Sequence, residues 1–459
     1  MTRGASRADN LTGKRATVVG AARSGMAAAR LLAEAGAAVF VTDSGPIDEP
    51  RRAALSLAGI AFEEGGHTAR ALDADLVVTS PGVPATAELL VSAGERGLPV
   101  YSELEAASWF CRAPIVAVTG SNGKTTTTSL LGYIFQSTGR PTHVAGNIGH
   151  PFSDVAAGAQ PDDIVVLEVS SFQLDHVRTF RPHVSVLLNI TPDHLDRYGG
   201  SMAAYAASKL RICNNQQGDD ACVFNMDDDT VATGVRKVAR PDAPRAYGFS
   251  LDEKAGAAGF VRSDEIVLRI GANEEVLMQR RELALRGRHN TGNSLAAAVA
   301  ARIMEVRSEI VRSSLASFEG VPHRLEFVRE VNGVRYVNDS KATNVNAVWY
   351  ALESMSEPVV LIAGGRDKGN DYGPLKELVR DRVRVLIAIG ESAAKVESEL
   401  GNLVESSVSV ENMTDAVRYA SLLARPGECV LLSPACASFD MFRDYEDRGD
   451  TFRRLVSEV

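Results

Sequence analysis

Cysteine is scarce in this chain of 459 residues: its five thiols stand at positions 111, 213, 222, 429 and 436. None of them has the CxxC spacing of structural zinc sites and dithiol redox motifs, so neither kind of site is expected. Thiols scattered in this way are typical of small buried side chains in a reducing compartment.

Long apolar runs and an excess of basic charge are missing as well. No stretch approaches the ~18 apolar residues of a membrane span, and the first residues, MTRGASRADN, lack the apolar core of a signal peptide. The formal net charge of −9 argues against a nucleic-acid-binding face, which would be basic. Anionic small substrates are not excluded, because local clusters of Lys and Arg can outweigh the global sign. We therefore expect a cytoplasmic protein that binds neither nucleic acid nor a membrane, and separately we expect a monomer, although the sequence itself does not reveal the oligomeric state.

The chain has the length and the pattern of three α/β units. At ~150 residues per domain the length predicts about three domains, and the hydrophobic fraction of 45% can fill several cores. Short apolar runs alternate with helical patterns along the whole chain, which indicates doubly wound, mostly parallel sheets. We place the domain boundaries at 1–103, 104–320 and 321–459.

The segment Thr119–Thr125, TGSNGKT, lies where a phosphate-binding loop is expected. A short apolar run, Ile115–Val118, precedes it, and a helical pattern over Thr126–Ser137 follows it. In this context backbone N–H groups and a helix N-terminus can hold a polyphosphate. The common spacing of such loops would place a glycine at Val118, so this loop is a short variant. The alternative is an ordinary glycine turn with a solvated lysine.

Each residue type in the loop suits a polyphosphate and its cation. Gly120 and Gly123 let the backbone approach the anion. We expect Lys124 to reach the outer phosphates and the Thr125 hydroxyl to bind Mg²⁺. The nucleotide-contacting set expected from the loop is Gly120, Ser121, Asn122, Gly123, Lys124, Thr125 and Thr126.

The first unit carries an incomplete dinucleotide fingerprint. Its glycine turn reads Gly20-Ala-Ala-Arg-Ser-Gly25, with Ala22 in place of the middle glycine, and the next strand ends at Asp43. A nucleotide or diphosphate could lie over the helix N-terminus, with Asp43 binding a ribose or base. Pure packing, with Asp43 capping a turn, explains the same pattern equally well.

Polar residues follow several of the other predicted strands. In the second unit they are Glu168 to Ser170 and Asn189 to Asp196, and in the third unit they include Asp339 to Lys341 and Ser433 to Ser438. The carboxyl ends of parallel strands share one edge of a sheet, and ligands bind there. We therefore expect the second-unit groups to converge on the phosphate loop.

Nine segments carry a resemblance to a known family. They are TGSNGKTTT, GNIG (146–149), LEVSSFQLD (167–175), TPDHLDRYG (191–199), SKLRI (208–212), GRHNTGN (287–293), PHRLE (322–326), NDSKATN (338–344) and SPACASFDMF (433–442). Together they resemble the Mur ligase family over nearly the whole length. SSFQLD and SPACASFD favour the member that adds D-glutamate, and the DNPR-type signature of the diaminopimelate- or lysine-adding members is absent.

The resemblance implies three α/β domains: a Rossmann-like domain for a UDP-sugar peptide, a central P-loop ATPase domain, and a Rossmann-like C-terminal domain for ATP and the amino acid. It implies ATP- and Mg²⁺-dependent ligation of D-glutamate to UDP-N-acetylmuramoyl-L-alanine through an acyl phosphate, in cytoplasmic peptidoglycan synthesis, cell-wall biogenesis and cell division. Alternatives are a Mur-type ligase for another amino acid, a folylpolyglutamate-type ligase, an NAD(P)-dependent oxidoreductase and a non-catalytic nucleotide switch.

The resemblance also implies the catalytic residues Lys124, Glu168, His194 and Lys209, of which the last three join Thr125 as candidate Mg²⁺ ligands. Taken alone, His194 would be read as structural and Glu168 as a buried, hydrogen-bonded carboxylate. Lys209 alone would be a solvated lysine. In the family the lysine of the KLR segment is carbamylated by CO₂, which turns a cation into a metal-binding carboxylate. We hypothesise the same modification of Lys209.

The remaining candidates are also implied by the resemblance. Those for the adenine nucleotide are Asn290, Asn293, Arg324, Asp339 and Lys341. Those for the nucleotide-sugar substrate are Ser24, Asp43, Ser80, Gly82 and Asn147. Those for D-glutamate are Thr343, Lys368, Ser438, Phe439 and Tyr445. Family members often carry Leu where Phe439 stands and Phe where Tyr445 stands, so the amino-acid pocket departs most from the pattern.

Overall fold

The computed structural model describes residues 11–238, 240–367 and 369–459. Contacts divide the chain into two compact units. The first unit of this division, the residues up to Leu283 with Gly292–Ser317, contains the first two α/β units expected from the sequence, and its second unit, Ala284–Thr291 with Phe318–Val459, contains the third. The first unit carries two sheets and the second carries one. Among the described residues no helix is long and apolar enough to cross a membrane.

The first sheet has five parallel strands in the order β3–β2–β1–β4–β5. They are β1 (Arg15–Val19), β2 (Ala38–Thr42), β3 (Ala61–Glu63), β4 (Leu76–Thr79) and β5 (Val100–Ser102). The accompanying helices are α1 (Arg23–Glu34), α2 (Glu49–Leu57), α3 (Glu88–Glu95) and α4 (Glu103–Ser108). A Cβ on Gly25 would lie 1.7 Å from the Gly20 carbonyl oxygen, so α1 packs on its preceding turn at a distance that requires glycine.

The second sheet of the first unit has nine strands, in the order β14–β13–β12–β11–β10–β9–β6–β8–β7. They are β6 (Ile115–Thr119), β7 (Thr142–Gly146), β8 (Ile164–Glu168), β9 (Val184–Leu187), β10 (Ala221–Asn225), β11 (Arg245–Ser250), β12 (Ala257–Arg262), β13 (Glu265–Ile270) and β14 (Asn273–Gln279). The helices are α5 (Lys124–Gln136), α6 (Phe152–Val155), α7 (Ser171–Leu174), α8 (Met202–Leu210), α9 (Asp229–Lys237), α10 (Arg288–Ile303) and α11 (Ser308–Ser317). Every residue of β6, β8 and β9 is buried, as expected for parallel strands covered on both faces.

The sheet of the second unit has six strands in the order β15–β16–β20–β17–β18–β19. They are β15 (Glu326–Val331), β16 (Val334–Asn338), β17 (Val359–Gly364), β18 (Val383–Ile389), β19 (Ser406–Val410) and β20 (Cys429–Leu432). The helices are α12 (Val345–Ser354), α13 (Lys376–Arg382), α14 (Ala393–Leu400), α15 (Met413–Leu423) and α16 (Tyr445–Ser457). Only the β15–β16 pair is antiparallel within this described sheet.

The predicted fold class is confirmed: the chain is α/β with mostly parallel sheets. The sequence interpretation missed the antiparallel hairpins β12–β13–β14, whose polar, partly exposed edge strand has no strong alternation. It also extended the helix of Lys209 to Ile212, whereas α8 ends at Leu210 and a 3₁₀ turn follows. The domain boundaries at 103/104 and 320/321 stay predictions.

Candidate active site

The phosphate loop joins β6 to α5 in the predicted strand–loop–helix arrangement. Gly123 caps α5 with φ = 82°, a left-handed conformation that favours glycine. The first turn of α5 reads Lys-Thr-Thr-Thr, without an acidic side chain to compete for its N–H groups. The positive end of the helix therefore faces the loop with amide donors suited to an anion.

Side chains from the loop after β9 brace the phosphate loop. Asn189 accepts from the Asn122 N–H at 2.8 Å and donates to the Asn122 carbonyl at 3.0 Å. The Ser121 hydroxyl donates to the Thr191 carbonyl at 2.8 Å. The loop conformation is thus fixed by a neighbouring strand end, which the sequence analysis expected to converge there.

Lys124 folds back over the loop. Its Nζ donates to the carbonyl oxygens of Gly120, at 2.9 Å, and Ser121, at 2.8 Å. The ammonium group is therefore held at the mouth of the loop, where an outer phosphate is expected.

Glu168, at the end of β8, connects the phosphate loop to the GNIG segment. Its carboxylate is 2% exposed and accepts from Thr125 Oγ1 at 2.7 Å and from Asn147 Nδ2 at 2.8 Å. Among the described residues no group of three or more His, Cys, Asp and Glu could hold a metal ion. A Mg²⁺ site here would thus combine a carboxylate and a hydroxyl with water or phosphate oxygens, which is usual for this ion.

Lys209 is buried beside the same loop and is not the solvated lysine that its Ala-rich helix suggests. Its Nζ is 2.7 Å from the Gly120 carbonyl, the oxygen that Lys124 also contacts, and 4.7 Å from the centre of the Tyr205 ring. Burial, together with the charge of Lys124, lowers the pKa of Lys209 well below its usual value. The helix thus places a buried lysine with a lowered pKa next to the phosphate loop.

His194 lies in the loop after β9 with φ = 51°, an uncommon left-handed conformation for a non-glycine residue. Its ring packs edge-on against Phe172, with 5.3 Å between the ring centres. The imidazole Nε2 is 3.7 Å from Asp193, and the side chain is 40% exposed. Lys124 and Lys209 thus share the Gly120 carbonyl oxygen and Thr125 contacts Glu168, whereas the partly exposed His194 lies on the loop after β9.

One cavity in the first unit, of about 710 Å³, contains all five candidates for the nucleotide-sugar substrate. Ser24, Asp43, Ser80, Gly82 and Asn147 all line it. Three further lining residues, Arg23, Arg51 and His67, escaped the sequence analysis. Arg23 lies inside the glycine turn and could have been identified as a cation beside a helix N-terminus, whereas Arg51 and His67 carry no local signal.

Both oxygens of Asp43 are engaged by the backbone. Oδ2 accepts from the Ala21 N–H at 2.6 Å, and Oδ1 accepts from the Gly45 N–H at 2.8 Å. The turn-capping interpretation of Asp43 is therefore seen directly. A contact of Asp43 with a ligand stays a prediction.

In the second unit, Asp339 directly follows β16 and is 1% exposed. It accepts from Ser433 Oγ at 2.8 Å and from the Leu325 N–H at 3.2 Å. Burial raises the pKa of Asp339 to about 6, and the charge of Arg324 opposes this rise. Arg324 Nε is buried and has no hydrogen-bond partner among the described residues.

Lys341 and Tyr445 are in direct contact within the second unit. Lys341 Nζ donates to the Tyr445 hydroxyl at 2.8 Å and lies 4.6 Å from the ring centre. Ser438 is buried after β20, whereas Phe439 beside it is 60% exposed, and Thr343 is half-buried after β16. Lys368 lies outside the described residues.

The two asparagines of the GRHNTGN segment occupy the start of α10. Asn290 Nδ2 donates to the Arg286 carbonyl at 2.9 Å within the second unit. Asn293 belongs to the first unit, and a Cβ on Gly123 would lie 2.3 Å from its Oδ1. Asn293 therefore touches the phosphate loop directly.

Three family models match the chain. The model for the MurD N-terminal domain matches residues 15–89, that for the Mur ligase middle domain matches 118–301, and that for the Mur ligase glutamate ligase domain matches 323–436. Together they cover more than half of the sequence and include the glycine turn, the phosphate loop and the strand ends described above.

Named relatives align over almost the full length. The UDP-N-acetylmuramoylalanine–D-glutamate ligase of Salinibacter ruber is 58% identical over 98% of this chain and 99% of its own. The ligase of the same name from Chloroherpeton thalassium is 44% identical, again over 98% and 99%. The structure of UDP-N-acetylmuramate–alanine ligase from Thermotoga maritima matches with a TM-score of 0.60 over 97% of this chain and 100% of that one. At 18% identity this likeness shows the fold alone.

Proposed function

The chain belongs to the Mur ligase family, and we propose that it joins D-glutamate to UDP-N-acetylmuramoyl-L-alanine at the expense of ATP. The observation that carries the proposal is the position of Asn147. This residue lines the 710 Å³ cavity and also donates to Glu168, which in turn accepts from Thr125 of the phosphate loop. A substrate in the cavity and a polyphosphate on the loop would therefore lie at the two ends of one hydrogen-bonded series of side chains, Asn147–Glu168–Thr125. The reaction would take place in the cytoplasm and serve peptidoglycan synthesis.

The chemistry has to overcome the repulsion between two anions. A substrate carboxylate oxygen attacks the γ-phosphorus of ATP, ADP leaves, and an acyl phosphate forms. The amine of D-glutamate then attacks the acyl carbon, and inorganic phosphate leaves as the amide forms. Lys124 and the N–H groups at the start of α5 lie where they would stabilise the transferring phosphoryl group.

The residues at this edge of the sheet fit a Mg²⁺ ion. Glu168 supplies a buried carboxylate, Thr125 supplies a hydroxyl, and we assign His194 and a modified Lys209 as further ligands. The ion would neutralise part of the negative charge between carboxylate and triphosphate.

We further propose that Lys209 is carbamylated. The modification requires a neutral amine, and the burial of Lys209 beside Lys124 favours that form. A Lys209→Ala variant should lose about 100-fold or more in kcat, the scale of a lost electrostatic contribution to the transition state, because the Mg²⁺ loses a ligand, and short carboxylates such as acetate should restore part of it. Lys237→Ala, at an exposed lysine on α9, is the matched control. Full activity of Lys209→Ala without bicarbonate would refute the modification.

Two further sets of residues are assigned within this proposal. Arg324, Asp339 and Lys341, with Asn290 and Asn293, would bind the adenine nucleotide. The buried, unpaired Nε of Arg324 supports this assignment, because such a donor requires an acceptor that a ligand can supply. Thr343, Lys368, Ser438, Phe439 and Tyr445 would form the D-glutamate pocket.

The test is phosphate release from ATP with UDP-N-acetylmuramoyl-L-alanine and a series of amino acids. We expect release that depends on both the nucleotide sugar and D-glutamate, with L-glutamate, L-alanine and no amino acid as comparisons. Activity with L-glutamate alone would overturn the assigned amino acid but leave the ligase reaction in place. Phosphate release at the same rate with and without an amino acid would overturn the ligase assignment itself.

A further inference from the structure

Three side chains without a role in the proposed reaction form a cluster with His194. We call it the Phe172 cluster, and its members are Phe172, His194, Arg197 and Tyr198. The Phe172 ring contacts the His194 ring edge-on and lies nearly parallel to the Tyr198 ring, with 6.2 Å between the centres. The guanidinium carbon of Arg197 is 4.4 Å from the centre of Phe172. The Phe172 ring therefore contacts both the His194 ring and the Arg197 guanidinium.

Arg197 also reaches the loop that lines the nucleotide-sugar cavity. Its Nη2 donates to the Gly82 carbonyl oxygen at 3.0 Å, across 115 residues of sequence. Gly82 and Ser80 both line the 710 Å³ cavity. A separate cavity of about 20 Å³, large enough for one water, lies between this loop and the side chains of Phe172 and Arg197. One guanidinium thus connects the substrate-side loop to the ring that supports His194.

The loop that carries His194 is anchored at its other end as well. The Tyr198 hydroxyl donates to Asp175 Oδ2 at 3.0 Å and lies 3.3 Å from Ser208 Oγ, next to Lys209 on α8. Between these anchors His194 holds a left-handed backbone conformation, which persists only when the surroundings fix it. Within the cluster, the side chain of Arg197 bonds to the cavity loop at Gly82.

We infer that Arg197 is a positioning residue, which holds His194 in place through Phe172 and ties that position to the loop at Gly82. This inference rests on the proposed function, because it assigns the substrate-side loop and the His194 loop to one reaction. Binding of the nucleotide sugar would immobilise the loop at Gly82. Through Arg197 and Phe172 it would also restrict the position of the His194 ring. Removal of the guanidinium should therefore lower kcat/KM for the nucleotide sugar, and the change in the KM for ATP, through the Mg²⁺ that His194 is assigned to bind, should be smaller.

The kinetic test compares Arg197→Met, Arg197→Lys and a matched control, Arg178→Met. Methionine keeps an apolar stem over Phe172 but removes the charge and the donor, and lysine restores a cation. Arg178 also lies over an aromatic ring, 5.2 Å from the centre of Tyr101, so its variant reports the loss of an ordinary cation–π contact.

For Arg197→Met we expect kcat/KM for UDP-N-acetylmuramoyl-L-alanine to fall about tenfold or more, as for a lost charge-assisted hydrogen bond. The KM for ATP should change less than about twofold, Arg197→Lys should recover part of the loss, and Arg178→Met should behave as wild type. Equal kinetics for Arg197→Met and Arg178→Met would overturn the inference. So would a loss that appears equally in the KM for ATP.

A second measurement needs no activity. In proton–nitrogen NMR spectra of the ¹⁵N-histidine-labelled full chain, which has eight histidines, the His194 ring signal is assigned as the one lost in His194→Gln. That signal should move in Arg197→Met and stay in place in Arg178→Met. An unchanged chemical shift of the His194 ring in Arg197→Met would refute the positioning role even if the kinetic constants changed. If the wild-type chain shows no ligase activity, the proposed function fails, and the NMR result still decides how Arg197 acts.

Discussion

Gly123→Ala tests whether the phosphate loop depends on close contact with Asn293. Gly123 has φ = 82°, and a Cβ there would lie 2.3 Å from Asn293 Oδ1, well inside contact distance. Gly139 offers a matched control, because its φ is also 82° and no atom of the described residues lies within 4 Å of its added Cβ. The two substitutions share the same backbone penalty and differ in the steric conflict.

The shared penalty should be about 1 kcal/mol, the usual cost of a left-handed alanine. Both variants should therefore melt a few degrees below wild type, about 2–4 °C for a domain of this size. In Gly123→Ala the Asn293 side chain or the loop must also move, so we expect the KM for ATP to rise about tenfold or more, equivalent to at least ~1.4 kcal/mol. Gly139→Ala should keep the wild-type KM.

The assay is steady-state ligation with varied ATP, together with thermal melting of both variants. Equal KM values for ATP in Gly123→Ala and Gly139→Ala would refute the reasoning, because the contact with Asn293 would then have no bearing on the nucleotide. A lower melting temperature for Gly123→Ala than for Gly139→Ala, with equal KM values for ATP, would mean that the contact serves folding alone.

Two further predictions concern buried carboxylates of α4. Glu105 is fully buried and accepts hydrogen bonds from the Trp109 indole and from the N–H groups of residues 178–180. Glu105→Gln should therefore lower the free energy of unfolding by about 3 kcal/mol. The measurement is urea unfolding, with Glu95→Gln at an exposed position as the control. Burial raises the pKa of Glu103 from 4.5 to about 7. Between pH 4.5 and 7 the folded state therefore binds a proton that the unfolded state has lost. The free energy of unfolding should fall by up to about 3 kcal/mol as the pH rises through this window. Glu103→Gln should remove that pH dependence, and an unchanged slope would contradict the assignment.

The sequence predicted those parts of the site that depend on local pattern. The strand, glycine loop and helix around Lys124 have a clear signal, and the shared edge of parallel strands placed Glu168 and Asn189 beside them. The five candidates for the nucleotide-sugar substrate, which the resemblance implies position by position, line one cavity, and their contacts with a substrate stay predictions.

What the sequence could not predict depends on contacts between distant segments. No local sequence pattern around Lys209 predicts its burial. The burial arises because the inner face of α8 packs against the phosphate loop. Arg197 contacts Gly82 across 115 residues, so neither segment indicates the other. The hairpins of β12 to β14 were missed because the edge strand β14 is polar and partly exposed, so its hydrophobic alternation is weak.

The central claim, that a substrate carboxylate takes the γ-phosphoryl group of ATP at the Lys124–Glu168–Lys209 site, is tested most directly by oxygen-isotope transfer. UDP-N-acetylmuramoyl-L-alanine labelled with ¹⁸O in its terminal carboxylate is turned over with ATP and D-glutamate, and the released phosphate is analysed by mass spectrometry. We predict one ¹⁸O atom in each phosphate, because the carboxylate oxygen stays on phosphorus when the amine displaces it. Unlabelled phosphate, released together with the amide product, would contradict the account.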